Sequence, residues 1–167
     1  MSGPARRTDG PICGDPHRLW IMVDIETSGP VIGTHSMTEL GAAVGSKPRG
    51  VIDRFEVLIA PISEHVKTSR RSYERARQAG LAPADAMAKF ASWTAPYRDR
   101  ASFLARPAAF DWPWIVQYAW CYLGDNPFGF KAVCASSWFE GHGASFRIDL
   151  PHIAVEDAVL QLRHFLS

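Results

Sequence analysis

A short apolar segment that ends in two acidic residues constrains the fold of this 167-residue chain more than any other feature. Residues 19–23 are continuously apolar, which is typical of a strand covered on both faces of a sheet. Asp24 and Glu26 follow, and the turn-forming residues 28–30 end the strand. Because side chains alternate across a strand, the two carboxylates project to the same side. The sequence therefore predicts an interior strand with paired carboxylates at its end.

The remaining segments alternate between strand-like and helix-like patterns. Two further strands, 39–44 and 51–59, are joined by the turn-rich residues 45–50, a connection short enough for antiparallel pairing. This order predicts an α/β fold in which a single layer of about five mixed strands is flanked by helices. Strands are also expected over 101–105 and 131–136, and helices over 69–79, from Pro83 onwards, over 111–123 and over 152–166.

Apolar residues at helical spacing predict which face of each later helix packs on the sheet. The predicted buried stripes are Ala86, Phe90 and Trp93, then Val116, Trp120 and Leu123, and finally Val155, Val159, Leu162 and Leu166.

Composition narrows the class of protein. Lys and Arg total 18 against 17 Asp and Glu, which argues against a protein that binds many phosphates along a duplex. The three cysteines are widely spaced, so neither a disulfide framework nor a zinc site is expected, and the reducing cytoplasm is the expected location. No apolar run approaches the ~20 residues that cross a bilayer, so we expect no membrane segment. Residues 1–17 are predicted to be a flexible tail and 18–167 a single domain.

Asp24 and Glu26 are the first candidate functional residues. Two carboxylates on one side of a strand repel each other, and a divalent cation relieves that repulsion. Rigidly held oxygen ligands suit Mg²⁺ or Mn²⁺. The alternative is an ordinary acidic strand end that reaches solvent.

Asp111, His152 and Asp157 are the other candidates, and each has a structural alternative. Asp111 precedes a proline where a helix is expected to begin, so it could be an N-cap. His152 could be a capping or surface histidine. Asp157 lies opposite the apolar stripe of the last helix and could belong to a solvated face, although Ala154 and Ala158 extend the apolar surface towards it.

These residues occur in three motifs: V-D-I-E-T-S-G at 23–29, A-A-F-D-W-P-W-I at 108–115 and H-I-A-V-E-D-A at 152–158. The motifs closely resemble the signatures of the DEDDh 3′-5′ exonucleases, the proofreading-subunit type within the ribonuclease H-like superfamily. The resemblance spans residues 19–166 and implies a ribonuclease H-like fold for the domain.

The resemblance also implies a two-metal phosphodiesterase. Asp24 would bridge two Mg²⁺ or Mn²⁺ ions, Glu26 and Asp157 would complete the ligands of the first ion, and Asp111 would hold the second. Paired cations stabilise the charge that develops on the attacking and leaving oxygens of such a displacement. His152 would be the general base and not a metal ligand.

Substrate contacts follow from the same resemblance. The backbone at Thr27 and Ser28 would lie against the 3′-terminal nucleotide, and a simple turn is the alternative for their side chains. Where the family often has His-Asn, this chain has Arg106-Pro107, and Arg106 could itself contact a phosphate.

Two further regions leave alternatives open. The segment 135–148 shows little helical pattern and is expected to be a loop that influences substrate choice, with Trp138 and Phe139 either stacking on bases or packing in the core. A basic cluster either follows a single-stranded backbone or forms a solvated helix face. It consists of Lys67, Arg70, Arg71, Arg75 and Arg77.

The predicted function is a metal-dependent 3′-5′ exonuclease that releases nucleoside 5′-monophosphates from single-stranded DNA or RNA. The alternative is a nucleic-acid-binding or polymerase-accessory module of the same fold with little turnover of its own. Occupation of all five candidate catalytic positions favours the enzyme. The sugar preference, a homodimer and a polymerase partner all stay open, because a contact to the 2′-OH or an exposed interface cannot be read from the pattern.

Overall fold

The computed structural model describes residues 15–167, which contain one five-stranded mixed sheet and five helices. In chain order the elements are β1 (Leu19–Thr27), β2 (Met37–Ser46), β3 (Gly50–Leu58), α1 (Arg70–Ala79), α2 (Pro83–Thr94), β4 (Ala101–Ala105), α3 (Ala108–Leu123), β5 (Val133–Cys134), α4 (Ala135–Gly141) and α5 (Ala154–Leu166). The predicted tail over 1–17 lies almost wholly outside the described residues.

β1 is the central strand of the sheet, whose order is β3-β2-β1-β4-β5. The first three strands form an antiparallel meander, and β4 and β5 continue the sheet in parallel with β1. An interior position explains why β1 is apolar until its acidic end, since both of its faces are covered. The predicted α/β class with a single mixed layer is confirmed.

Alternate residues of β1 enter two separate cores. Ile21, Val23 and Ile25 pack on the side of α2 and α3, whereas Trp20 and Met22 pack on the side of α4 and α5. By this alternation Asp24 and Glu26 belong to the face that α5 covers. The largest buried partners are Phe90, Trp114 and Tyr118 on the first side and Phe165 on the second.

Gly41 allows α5 to approach the sheet closely. It lies on β2 directly opposite Asp24, and a Cβ atom placed there would overlap the backbone of Ala154 and Val155. The absence of a side chain therefore lets the first turn of α5 lie against the strand. This contact brings the N-terminal part of α5 beside the acidic end of β1.

Two predicted elements differ from the structure. The strand expected over 131–136 is reduced to the two residues of β5, and α4 follows at once in the segment expected to be a loop. The third helix begins at Ala108 instead of Asp111. A short edge strand forms only where β4 offers a partner, and that partner is itself only five residues long.

The buried face of α3 also differs from the predicted stripe. Trp120 is 48% exposed, and the buried face is formed by Trp114, Ile115, Tyr118 and Ala119. Apolar residues occur on nearly every side of this helix, so spacing alone did not identify the face that meets the sheet.

Among the described helices, none is long and apolar enough to cross a membrane.

The close approach at Gly41 is testable by adding one methyl group. We expect Gly41→Ala to lower the free energy of unfolding by about 1–3 kcal/mol, because the added Cβ must displace the backbone of α5. Urea denaturation measures the loss.

Gly141→Ala is the matched control, since a Cβ at that position meets no atom within 4 Å. It should leave the stability nearly unchanged. Equal stabilities for the two variants would contradict a tight α5–β2 contact.

Candidate active site

Three aspartates from three separate elements lie together in the interior. Asp24 is on β1, and Asp111 and Asp157 are each in the first turn of a helix, α3 and α5. Their exposed fractions are 7%, 3% and 2%. A first helical turn favours an acidic side chain, because the helix dipole is positive there. The elements thus direct three carboxylates to one buried point at the end of β1.

Burial and mutual repulsion raise the pKa values of these carboxyls. Burial, followed by the negative charges of Asp111 and Asp157, raises the pKa of Asp24 well above its usual range. Burial raises the pKa of Asp111 to about 7, although hydrogen bonds from the backbone at Ile25 partly oppose the shift. Burial also raises the pKa of Asp157. The cluster therefore favours uptake of positive charge, as protons or as a cation.

Oxygen atoms without partners mark where such a cation would fit. Oδ2 of Asp111 and Oδ1 of Asp157 are buried and accept no hydrogen bond from any described residue. Glu26, His152 and Asp157 each offer one ligand atom, and these atoms lie within 4.8 Å of one another. Clustered carboxylate oxygens are the donors that hard divalent cations prefer. The donor set fits a divalent metal ion.

Glu26 is held at the edge of this cluster by α1. Its Oε2 accepts a hydrogen bond of 2.9 Å from the hydroxyl of Ser69, the residue that precedes α1. Burial raises the pKa of Glu26, and the Ser69 hydrogen bond opposes that increase. Ser69 has a positive φ of 44° and makes no side-chain cap to its own helix, so its hydroxyl is directed to Glu26 instead.

His152 is exposed beside the buried acids. It precedes α5 with a positive φ of 58°, and its ring lies in the field of Glu26 and Asp157. Its ring nitrogen is therefore both near the cluster and open to water, which suits a group that exchanges protons with a solvent molecule.

The capping roles considered for Asp111 and His152, and the solvated face considered for Asp157, are not what the structure shows. Asp111 does not cap α3, because the N-cap position is Pro107. His152 does not cap α5, because that position is Ile153 and no side-chain cap is formed. Asp157 is on a buried helix face and not a solvated one. The capping roles and the solvated face are thus excluded, whereas the exposure of His152 agrees with its surface alternative.

Thr27 and Ser28, by contrast, have structural roles for their polar groups. The Ser28 hydroxyl donates to the carbonyl of His65 at 2.8 Å and accepts the amide of Ser36 at 2.9 Å. The carbonyl of Thr27 accepts the hydroxyl of Thr68 at 3.3 Å. These bonds favour the turn interpretation for the Ser28 side chain, and contacts of Thr27 and of the backbone to a terminal nucleotide stay a prediction.

Arg106 and the aromatic residues of α4 are engaged within the protein. The Arg106 guanidinium donates to the carbonyl of Phe146 at 3.2 Å and lies 5.0 Å from the centre of its ring. Trp138 lies edge-on to Trp20, and Phe139 packs against Phe146. Core packing is therefore what the structure shows for both aromatic residues, and a phosphate contact by Arg106 stays a prediction.

The basic cluster divides into paired and unpaired members. Arg75 forms an ion pair with Glu39 at 3.0 Å, and Arg77 forms one with Glu74. Arg71 has no ion pair within residues 15–167 and lines a cavity of about 190 Å³ together with Glu26 and His152. The paired Arg75 lines the same cavity as Arg71, so both of these arginines lie beside the acidic site, whereas Arg77 belongs to a solvated helix face.

Two residues of the site were not predicted from the sequence. Ser69 was expected inside a helix, although a serine just before a helix start is a recognisable signal. Gln161 is fully buried on α5 and donates a hydrogen bond of 2.8 Å to Oδ1 of Asp24. Its spacing of four residues after Asp157 is the signal that could have identified it.

Comparison with known proteins identifies a relative that is named as an exonuclease. No protein-family model matches the sequence. The chain is 36% identical over 139 residues to the 3′-5′ DNA exonuclease Cap18 of Escherichia coli, an alignment that covers 78% of this chain and 73% of that protein.

Solved structures share the fold at lower identity. The nuclease domain of 3′hExo, described as a DEDDh family member bound to rAMP, superposes with a TM-score of 0.63 at 12% identity, over 90% of both chains. E. coli exonuclease I in complex with a 5cy-dA13 oligonucleotide gives a TM-score of 0.56 at 15% identity over 68% of this chain. The match spans only 26% of exonuclease I. The fold is thus ribonuclease H-like, and with the Cap18 match the chain belongs to the DEDDh family of 3′-5′ exonucleases.

Proposed function

We propose that residues 18–167 form an exonuclease domain that releases nucleoside 5′-monophosphates from the 3′ end of a single strand, with two divalent metal ions and His152 as general base. The observation that carries this proposal is the burial of three aspartates at one point, two of them with oxygens that have no partner. Such an arrangement is unfavourable for stability alone, because like charges in a buried site repel each other.

In this proposal Asp24 is a ligand of two metal ions, and each of the other three acidic residues is a ligand of one. Asp24, Glu26 and Asp157 would hold one Mg²⁺ or Mn²⁺ ion, and Asp24 and Asp111 would hold the second. Ions bound there would stabilise the negative charge that develops on the attacking and leaving oxygens of the phosphodiester. The four carboxylates would fix the positions of these charges, because all four side chains are anchored by β1, α3 and α5.

His152 is proposed as the base because it is exposed to water beside the buried acids. An exposed imidazole can take a proton from a water molecule near neutral pH and return it to solvent. Glu26 and Asp157 each offer a carboxylate oxygen within 4.8 Å of a His152 ring nitrogen, so the proposed base lies next to the proposed metal ligands.

Single-stranded DNA is the favoured substrate. Cap18 is named a DNA exonuclease, and exonuclease I binds the dA13 and dT13 oligonucleotides in its complexes. A formal net charge of +1 agrees with an enzyme that contacts a few phosphates near one end instead of a long duplex. Arg71, beside Glu26, is the described cation best placed to contact the strand as it approaches the acids.

Digestion of matched DNA and RNA oligonucleotides tests the function. With Mg²⁺ or Mn²⁺, the wild-type protein should shorten a 5′-labelled single strand progressively from its 3′ end, with DNA cleaved faster. Asp24→Asn should lower the rate by at least about a thousandfold, because the residue shared by both proposed ions loses its charge.

Asp85→Asn is the control, since this exposed aspartate lies on α2. It should retain full activity. A wild-type protein that binds Mn²⁺ yet cleaves neither strand would favour the accessory-module alternative over the enzyme.

The repulsion among the acids predicts how metal-free stability depends on pH. The pKa of Asp111 rises from 3.8 in the unfolded chain to about 7 in the folded protein, so the folded state binds the proton more tightly. In EDTA, the stabilisation from this proton is complete below about pH 4 and is lost as the pH rises through 7. Urea denaturation between pH 5 and 8 should show stability falling by up to about 1.4 kcal/mol per pH unit for one proton.

Asp111→Asn should flatten this dependence, because the variant cannot take up that proton. Saturating Mg²⁺ should restore the stability of the wild type at pH 8 and have less effect on the variant. A pH dependence that is the same in both proteins would show that Asp111 titrates normally.

Substitution of His152 tests the proton transfer separately from metal binding. We expect His152→Ala to lower the cleavage rate by about 10²–10⁴-fold while Mn²⁺ affinity stays within a few-fold of wild type. Single-turnover kinetics and Mn²⁺ titration measure the two quantities.

His17→Ala removes another exposed histidine and should leave both quantities unchanged. A loss of Mn²⁺ affinity in His152→Ala would instead make this histidine a metal ligand.

A further inference from the structure

Gln161 is an uncharged polar side chain that lies fully buried against the acidic cluster. It is on α5, four residues after Asp157, and therefore on the same side of the helix. Its Nε2 donates a hydrogen bond of 2.8 Å to Oδ1 of Asp24. One amide thus connects the central strand to the helix that carries another of the proposed ligands.

The orientation of this amide follows from the chemistry of its partner. The nitrogen of Gln161 faces Asp24, and this is the orientation that a metal-binding Asp24 needs, because an ionised carboxylate only accepts hydrogen bonds. The oxygen Oε1 then points away and has no partner among the described residues. A buried polar atom left without a partner costs about 1–3 kcal/mol. An apolar side chain of the same length would avoid that cost but would leave Oδ1 of Asp24 without its donor, so the net gain in stability from the glutamine is small.

The hydrogen bond has a clear effect on the geometry of Asp24. This carboxylate experiences repulsion from Asp111 and from Asp157. Without a donor its terminal oxygens would be free to rotate away from the like charges. The Gln161 amide engages one oxygen and so restricts rotation of the carboxylate about its terminal bond.

We propose that Gln161 is a positioning residue that holds Asp24 in the orientation required for binding divalent metal ions. This inference rests on the proposed function, because it takes Asp24 to be the shared metal ligand. Partners that orient metal ligands through hydrogen bonds commonly contribute ten- to hundredfold to metal affinity. The glutamine is therefore expected to act on metal binding and only through it on cleavage.

Gln161→Met is the informative variant, because methionine has a similar length and no donor. We expect Mn²⁺, measured alone by calorimetric titration, to bind about 10–100-fold more weakly than to wild type. The metal concentration that gives half-maximal cleavage should rise by a similar factor. In EDTA the variant loses the unpartnered Oε1 but also leaves Oδ1 of Asp24 without its donor, so its stability should stay within about 1–3 kcal/mol of wild type.

Leu162→Met is the matched control. It also introduces a methionine at a fully buried position, the next residue of α5, but removes no hydrogen bond. It should leave Mn²⁺ affinity unchanged. Gln161→Asn, which shortens the amide by one methylene group, is the second variant and should also weaken Mn²⁺ binding. It serves the same purpose if the methionine variant does not fold.

The outcomes separate this proposal from the proposed function. Unchanged Mn²⁺ affinity in a folded Gln161 variant, with lower stability in EDTA, would make the residue structural and overturn the inference. Wild-type protein that binds no Mn²⁺ would overturn both. Normal Mn²⁺ binding by wild type and weaker binding by the variants, without any cleavage, would support the positioning role and contradict the exonuclease.

Discussion

Mutual repulsion among buried carboxylates is the constraint around which this protein is arranged. Burial raises the cost of ionising Asp24, Asp111 and Asp157, and the charges of the other two aspartates add to that cost at Asp24. No single segment could hold three such groups together, because each would move towards solvent. The structure instead anchors each aspartate to a separate element whose apolar residues are fixed in one of two cores. Hydrophobic packing on both faces of the sheet thus stabilises an arrangement that is electrostatically unfavourable without cations.

The approach of α5 to the sheet determines how closely the charges can gather. At Gly41 there is no side chain to separate β2 from α5. On the helix side of this contact, Ala154 and Ala158 are small and buried, so the helix can lie close to the sheet. Small residues at this contact therefore have a functional consequence, although none of them carries chemistry. The same contact places His152 just outside the cluster, where it is exposed while Asp157 is buried.

The order of the strands along the chain could be predicted from sequence because it depends on local patterns, whereas the five motif residues were singled out together only by the family resemblance. The alternation of side chains along β1 predicted that Asp24 and Glu26 lie on the same face of the sheet. The spacing of apolar residues predicted the buried stripe of α5. The start of α3 and its buried face could not be predicted, since apolar residues such as Trp120 surround that helix. Ser69 and Gln161 were missed because their importance comes from partners far away in the sequence. Local patterns do not report contacts of this kind.

The charge pattern implies an order in which ligands bind. A nucleic-acid strand is anionic, and four carboxylates at the end of β1 repel its phosphates. Arg75 and Arg77 are neutralised by Glu39 and Glu74, so they offset little of this repulsion. Arg71 alone does not balance the acids that it faces across the cavity. Under the proposed function, divalent cations would therefore have to bind at the acids before a 3′ end, and metal affinity, with the proposed orientation of Asp24 by Gln161, would determine substrate binding as well as cleavage.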